Sequence, residues 1–256
     1  MDTQCRDRIK AEFRDCVTRT LQRLKKEATK MPFHEALLSK EAVFWSRFER
    51  SFSTSFGQSV IERVSKLVAE STNAVNVTAQ KQTIFDIDQA YLNSIEHHVS
   101  QLRVKGSGVI ARWEDDVREV LNTPQSGTSV QVRVISDLYF VRDGIEHFFS
   151  IKTVKPNIDQ TAEAKRDLLK LKVYNPICKT FFGLYYNPYG DQRSLYSWGP
   201  PMKIFNFHTD ECVLLGKDYW DTIGGEGTYE VVISLAQSVS IEMQGVIKQY
   251  GLSNIS

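Results

Sequence analysis

The sequence has 256 residues, of which 41% are hydrophobic and 25% charged, and its formal net charge is +1. That length suffices for one sizeable core and the composition excludes a disordered chain, while the near-zero charge excludes a protein that coats nucleic acid through bulk electrostatics. No apolar run reaches transmembrane length and the charged segment 1–30 has no signal-peptide core, so a cytoplasmic protein with no membrane partner is expected.

Apolar residues recur at helical spacing from Arg6 to about Lys30 (Ile9, Phe13, Val17, Leu21, Leu24), and Met31-Pro32 ends that helix. Lys40 to Glu49 predicts a second helix. Gln58 to Glu70 predicts a third, with Val60, Ile61, Val64, Leu67 and Val68 inward. Tyr91 to Leu102 and Val109 to Leu121 read as two more, separated by the flexible Lys105-Gly-Ser-Gly108. The pattern then changes to strands. Val130, Val132 and Val134 alternate with polar residues, Leu138 to Val141 is an apolar run, and Ile145 to Val154 is a return strand. A helix capped by Asn157 or Asp159 runs to about Val173, followed by a strand from Thr180 to Tyr186. Lys203 to Phe207 and Cys212 to Leu215 read as short strands, Asp218 to Thr222 as a brief helix, Gly224 to Gly227 as a turn, and Tyr229 to Tyr250 as a long helix. The four cysteines (Cys5, Cys16, Cys178, Cys212) lack zinc-site spacing and read as free thiols. The expectation is one α/β domain over 1–256, with a mainly helical section at 1–122 and a mixed central sheet with a terminal helix at 128–256.

Asp143-Gly144 between two strand patterns signals a two-residue hairpin turn, because both turn positions need positive φ. If Arg142 pairs with Ile145, Asp137 lies opposite Ser150 and Ile135 opposite Lys152. Period-two alternation then puts Asp137, Ser150 and Lys152 on one face, with Cβ atoms about 5 Å apart for the direct pair and about 7–8 Å for the diagonal one. A lone Asp and Lys on facing strands most often make a simple salt bridge. Here the flanking segments are apolar, so two facing charges enter a partly buried region at a desolvation cost. A carboxylate and an ammonium placed this way suit phosphodiester hydrolysis: the acid can hold Mg²⁺, and the lysine can orient water and offset charge on the phosphoryl group.

Ser136-Asp137 and Ser150-Ile-Lys152 resemble the core of the PD-(D/E)xK nucleases, with Ser136 in the proline place and Ser150 where an acid is usual. The resemblance implies that Glu163, on the helix after Lys152, supplies the displaced carboxylate; Asp159 is the other candidate. It also implies an additional acid from an N-terminal helix, and 51–62, ending in Glu62, is similar to that helix's pattern. Ser150-Ile-Lys-Thr-Val-Lys-Pro-Asn157, Gln160-Thr161, Lys165-Arg166 and the string 219–229 resemble the TdeIII family of type II restriction endonucleases. That family implies a restriction-endonuclease-like fold and Mg²⁺-dependent hydrolysis of double-stranded DNA at a short palindromic GGNCC-like site. It implies Asp137, Lys152, Glu163, Ser150 and Glu62 as catalytic positions, with Asp137, Glu163 and Glu62 toward the metal. A homodimer and a companion DNA methyltransferase acting on the same site complete the expectation.

Lys155, Asn157, Gln160, Lys165 and Arg166 are candidates for phosphate or base contacts, since Asn and Gln match adenine edges and Arg and Lys match guanine edges. A run of such charges is otherwise an ordinary solvated helix face. Gly224-Gly-Glu-Gly227 lacks the Lys-Ser/Thr tail of a phosphate loop, so no nucleotide cofactor is expected. His97 and His98 are adjacent on a helix and do not face the same way, and the tyrosines at 185, 186, 189 and 196 with Trp198 read as packing residues. Two rival readings share these residues: a DNA-repair nuclease of the same fold, and a non-enzymatic DNA-binding protein whose site is degenerate at Ser150.

Overall fold

Ile9, Phe13, Cys16, Leu21 and Leu24 are buried along one side of α1 (Thr3–Lys26), as their helical spacing dictates, in a computed structural model that describes residues 1–26, 30–104 and 106–253. Residues 27–29, near the end of the expected first helix, and Lys105 lie outside the described residues. Pro32 opens the short α2 (Pro32–Leu37). Ser39 caps α3 (Lys40–Ser55) by accepting the Ala42 N–H, and a π turn at Phe56–Val60 carries the chain into α4 (Ile61–Glu70). The next element, β1 (Val75–Asp88), was not expected from the sequence. Asp88 ends the strand and caps α5 (Gln89–Arg103) through the Ala90 N–H. The expected helix from Val109 begins instead at Trp113, as α6 (Trp113–Leu121).

The two strand patterns before the hairpin are one continuous strand, β2 (Ser129–Arg142), and the return strand is β3 (Ile145–Lys152). Asp143 and Gly144, with φ of 52° and 75°, make the expected turn. Pairing runs from Arg142–Ile145 to Leu138–Phe149 in the anticipated register and ends there. α7 (Ile158–Tyr174) follows, then β4 (Lys179–Leu184). The expected strand at Lys203 to Phe207 is instead a 3-10 turn (Pro200–Lys203) and loop. Its apolar run is buried all the same, with Asp210 accepting the N–H groups of Asn206 and Trp113 so that the loop needs no strand partner. β5 (Val213–Leu215), α8 (Lys217–Gly224) and α9 (Thr228–Ser253) complete the chain.

The sheet order is β1-β2-β3-β4-β5, antiparallel across the first three strands and parallel across the last three, with α7 as the crossover from β3 to β4. Alternation sends Tyr139, Phe148 and Phe182 into a core under α5, α6 and α7, and Leu138, Phe140 and Phe149 into a second core under α1, α4, α8 and α9. The fold is therefore α/β, with a mixed sheet flanked by helices on both faces. All four cysteines are free and buried. Among the described residues no helix is long and apolar enough to cross a membrane.

Candidate functional site

Beyond the Leu138–Phe149 pair, β2 parts from β3, and Asp137 occupies the fork. Its carboxylate replaces a backbone carbonyl there: Oδ2 accepts the Ile151 N–H at 2.6 Å. Consequently Asp137–Ser150 and Ile135–Lys152 do not pair as the extended register predicts. Lys152 nevertheless stays close, with Nζ 3.7 Å from Asp137 Oδ2. On the other side, Gln80 of β1 sits between the pairs Ala79–Leu138 and Lys81–Ser136 with a left-handed backbone, φ 51°. Left-handed conformations cost a non-glycine residue about 1–2 kcal/mol, and this one stands where the alternating side chains of β2 change from one core to the other. Val134 packs under α7, whereas Leu138, in the same phase, packs under α4.

The Gln80 side chain joins two acids. Its Nε2 donates to Asp137 Oδ1 at 3.0 Å and to Glu62 Oε2 at 2.8 Å. Burial pushes the Glu62 carboxyl above the usual carboxylate range; the Gln80 hydrogen bond counters this, the Asp137 charge adds to it, and Lys152 again counters it. α4, which carries Glu62, is fixed by Ser65, whose hydroxyl meets the Tyr219 hydroxyl at 2.6 Å. The Tyr219 ring in turn lies on Gly183, where an added Cβ would stand 2.6 Å from two ring carbons. Gly183 is the β4 partner of Ile151. Residues from α4, β1, β2 and β3 thus meet at one point with two carboxylates, one amide and one ammonium.

The other candidate residues are placed differently. Ser150 is half-buried on β3, paired with Phe182. Glu163 is exposed on α7. One turn further, Asp167 is half-buried and 3.0 Å from Lys170. Burial raises its carboxyl, Lys170 lowers it, Glu163 raises it and Lys152 lowers it, so Asp167 lies in the field of both Glu163 and Lys152. Asp159 turns away to Arg103 at 2.5 Å. Asn157 and Gln160 form the capping box of α7, each side chain accepting the other's backbone N–H. Arg166 pairs with Glu96 at 2.7 Å, and Lys155 is exposed over the rings of Tyr189 and Trp198, at 5.4 and 5.6 Å.

Lys165 corrects the sequence reading. It is fully buried in the core beneath α7, bound to Asp116 and to the Ile204 carbonyl, with its ammonium over Phe205, and it cannot reach DNA. Its spacing from Ala162, Leu168 and Leu169 carried that information. Gln80 and Asp167 were missed: nothing in a Gln within a strand advertises a bridging amide, whereas Asp167 lies four residues after Glu163 and shares its helix face.

Glu62 and Asp137 offer hard oxygen donors to a cation. Among the described residues no three acidic, His or Cys side chains converge as a metal cluster, so this is a two-carboxylate arrangement. Mg²⁺ is commonly held by one or two carboxylates, with waters and substrate phosphate filling its shell, and the residues present fit that requirement. A cation would also relieve the mutual repulsion of the two acids.

Comparisons with known proteins converge on one class. The family model described as "HinfI: Type II restriction endonuclease, HinfI" matches residues 1–240. The type II restriction enzyme HgiEI of Herpetosiphon aurantiacus is 30% identical over 253 residues, covering 95% of this chain and 89% of its own length. HgiCII from the same organism is 28% identical over 241 residues, covering 92% and 86%. HgiBI, also of that organism, is 29% identical over 235 residues, covering 88% and 83%.

Proposed function

Because the chain belongs to the HinfI family of type II restriction endonucleases, enzymes that hydrolyse DNA at specific sites, we propose that its reaction is Mg²⁺-dependent cleavage of duplex DNA at the fork between β2 and β3. The observation that carries this reading is the Gln80 amide joining Glu62 to Asp137 beside Lys152.

Asp137 and Glu62 would hold the cation, which supplies polarisation of the phosphate and a lowered pKa for water when bound. Gln80 keeps the two carboxylates in register. Lys152 orients the attacking water and offsets negative charge growing on the phosphoryl oxygens. The water oxygen bonds to phosphorus as the bond to the leaving deoxyribose oxygen breaks, and that oxygen departs with a proton. Because Ser150 cannot serve as an acid, α7 supplies a further carboxylate. Glu163 is the residue suggested by the PD-(D/E)xK and TdeIII resemblances, and Asp167 is the more enclosed one. We carry over from that resemblance a short palindromic, GGNCC-like target, a homodimer whose two sites cut both strands, and a methyltransferase acting on the same sequence.

Incubation of purified protein with unmethylated phage DNA, with Mg²⁺ or with EDTA, tests the reaction. Discrete fragments with Mg²⁺ alone are expected, with Lys152→Ala slowing their appearance about 10²–10⁴-fold. A Lys152→Ala protein that cuts as fast as the wild type would reduce Lys152 to a salt-bridge partner. Sequence-specific binding without cleavage under any divalent cation would leave a DNA-binding protein. Parallel Glu163→Gln and Asp167→Asn variants distinguish the acids of α7.

A further inference from the structure

Past the fork, β1 and β2 continue as a two-stranded ribbon with one face open to solvent. That face carries Gln82, Ile84 and Asp86 from β1 and Gln131, Arg133 and Ile135 from β2, all exposed. They pair as Gln82–Ile135, Ile84–Arg133 and Asp86–Gln131, continuing the alternation phase of Gln80 and Asp137. The opposite face is covered, with Thr83, Ile87 and Val134 buried. Ile84 and Ile135 remain 58% and 42% exposed, and Arg133 has no ion-pair or hydrogen-bond partner among the described residues. A solvated sheet face normally presents polar side chains, so two bare isoleucines beside an unpaired arginine point to a surface that is covered in use.

We propose that this ribbon face reads DNA bases from the major groove, with Arg133, Gln131 and Gln82 contacting base edges and the isoleucines contacting thymine methyl groups. The inference rests on the part of that reading in which duplex DNA binds across the Asp137 site. Three observations support it. The major groove admits a two-stranded β-ribbon, and Arg and Gln are the side chains that match guanine and adenine edges there. Strand rise of about 3.4 Å per residue puts Arg133 about 14 Å along the ribbon from Asp137. Duplex DNA rises about 3.4 Å per base pair along each strand, so this is a span of about four base pairs from the scissile phosphate, the scale of a short recognition site. The polar residues near the start of α7 are less available, because Asn157 and Gln160 are spent on the helix cap, Lys165 is buried and Arg166 is paired with Glu96.

Selection of bound sequences from a randomised duplex library in Ca²⁺, run alongside cleavage in Mg²⁺, tests this with wild type, Arg133→Ala and Gln131→Ala, each checked for unchanged thermal stability. Arg133→Ala is expected to relax the base preference at one position of the site about 5- to 100-fold, with the other positions retained. Gln131→Ala should relax a different position. If both variants select the wild-type sequence, or if binding weakens equally on all sequences with a shallower salt dependence, the ribbon does not read bases. Association between copies that is lost in Ile84→Lys while sequence choice stays intact would assign the face to a protein contact and overturn the proposal. A wild type that selects a sequence but never cuts would remove the proposed reaction and leave the ribbon inference standing; one that does neither removes both.

Discussion

Two carboxylates sharing a single amide make the Glu62 side chain the most informative residue to titrate. Its folded pKa is raised, so ionising it opposes folding: the penalty is complete above the folded value, fades as pH falls from that value toward the ordinary carboxylate value, and is gone below the latter. Glu62→Gln removes the charge while keeping an acceptor for Gln80. Thermal unfolding should therefore shift upward at pH 7, by roughly 1–3 °C, with no difference from wild type at a pH low enough to protonate Glu62. Mg²⁺-dependent cleavage should be lost in the same protein. A lowered melting temperature at pH 7 would mean that the carboxylate is held by its partners rather than strained by burial. Such opposed effects on stability and activity are expected where a fold maintains charge for function.

Among the elements, the β2–β3 hairpin was legible because Asp143-Gly144 names its own turn, and the turn sets the register that brings Asp137 and Lys152 close. The parting of the strands at Leu138–Phe149 was not legible, since it depends on a side chain displacing a backbone acceptor. β1 was overlooked although Val75, Val77, Ala79, Phe85 and Ile87 alternate along it. Lys81 and Thr83 interrupt the apolar phase, and Asn76 and Gln80 adopt left-handed conformations that no strand pattern anticipates. The loop at 203–207 failed in the other direction, because burial alone gave it the composition of a strand. Of the two cap candidates for α7, Asn157 and Asp159, the structure takes Asn157, and the cap redefines what Asn157 does. Asn157→Ala should cost about 0.5–2 kcal/mol in chemical denaturation, the usual value of an N-cap, while leaving the selected DNA sequence unchanged. A changed base preference would return Asn157 to the DNA interface.

At the scale of the whole molecule, α5, α6 and α7 are tied together by charges inside the core. Asp116 receives the Lys165 ammonium and lies 2.9 Å from His98 Nε2. Burial pushes the Asp116 carboxyl up, but His98 and Lys165 outweigh it and the net shift is downward. Removing one partner of a buried pair leaves an uncompensated charge. Asp116→Ala should thus destabilise the protein by about 3–5 kcal/mol, far more than any exposed ion pair, and Asp116→Ala combined with Lys165→Met should recover part of it. Equal stability of the single and double variants would show that water reaches Lys165. This network was hidden in the sequence because its members are 18 and 49 residues apart. On the other side of the sheet, a glycine has a longer reach than its size suggests. Gly183 admits the Tyr219 ring against the strand, and the same tyrosine grips Ser65, so an aromatic ring acts as a shim between the sheet and the helix bearing Glu62. The opening between the two acids is then gauged by rigid core packing instead of by the acids themselves. In the proposed site, tolerance for a larger ion in place of a smaller one would be written at residues 183 and 219, neither of which touches it.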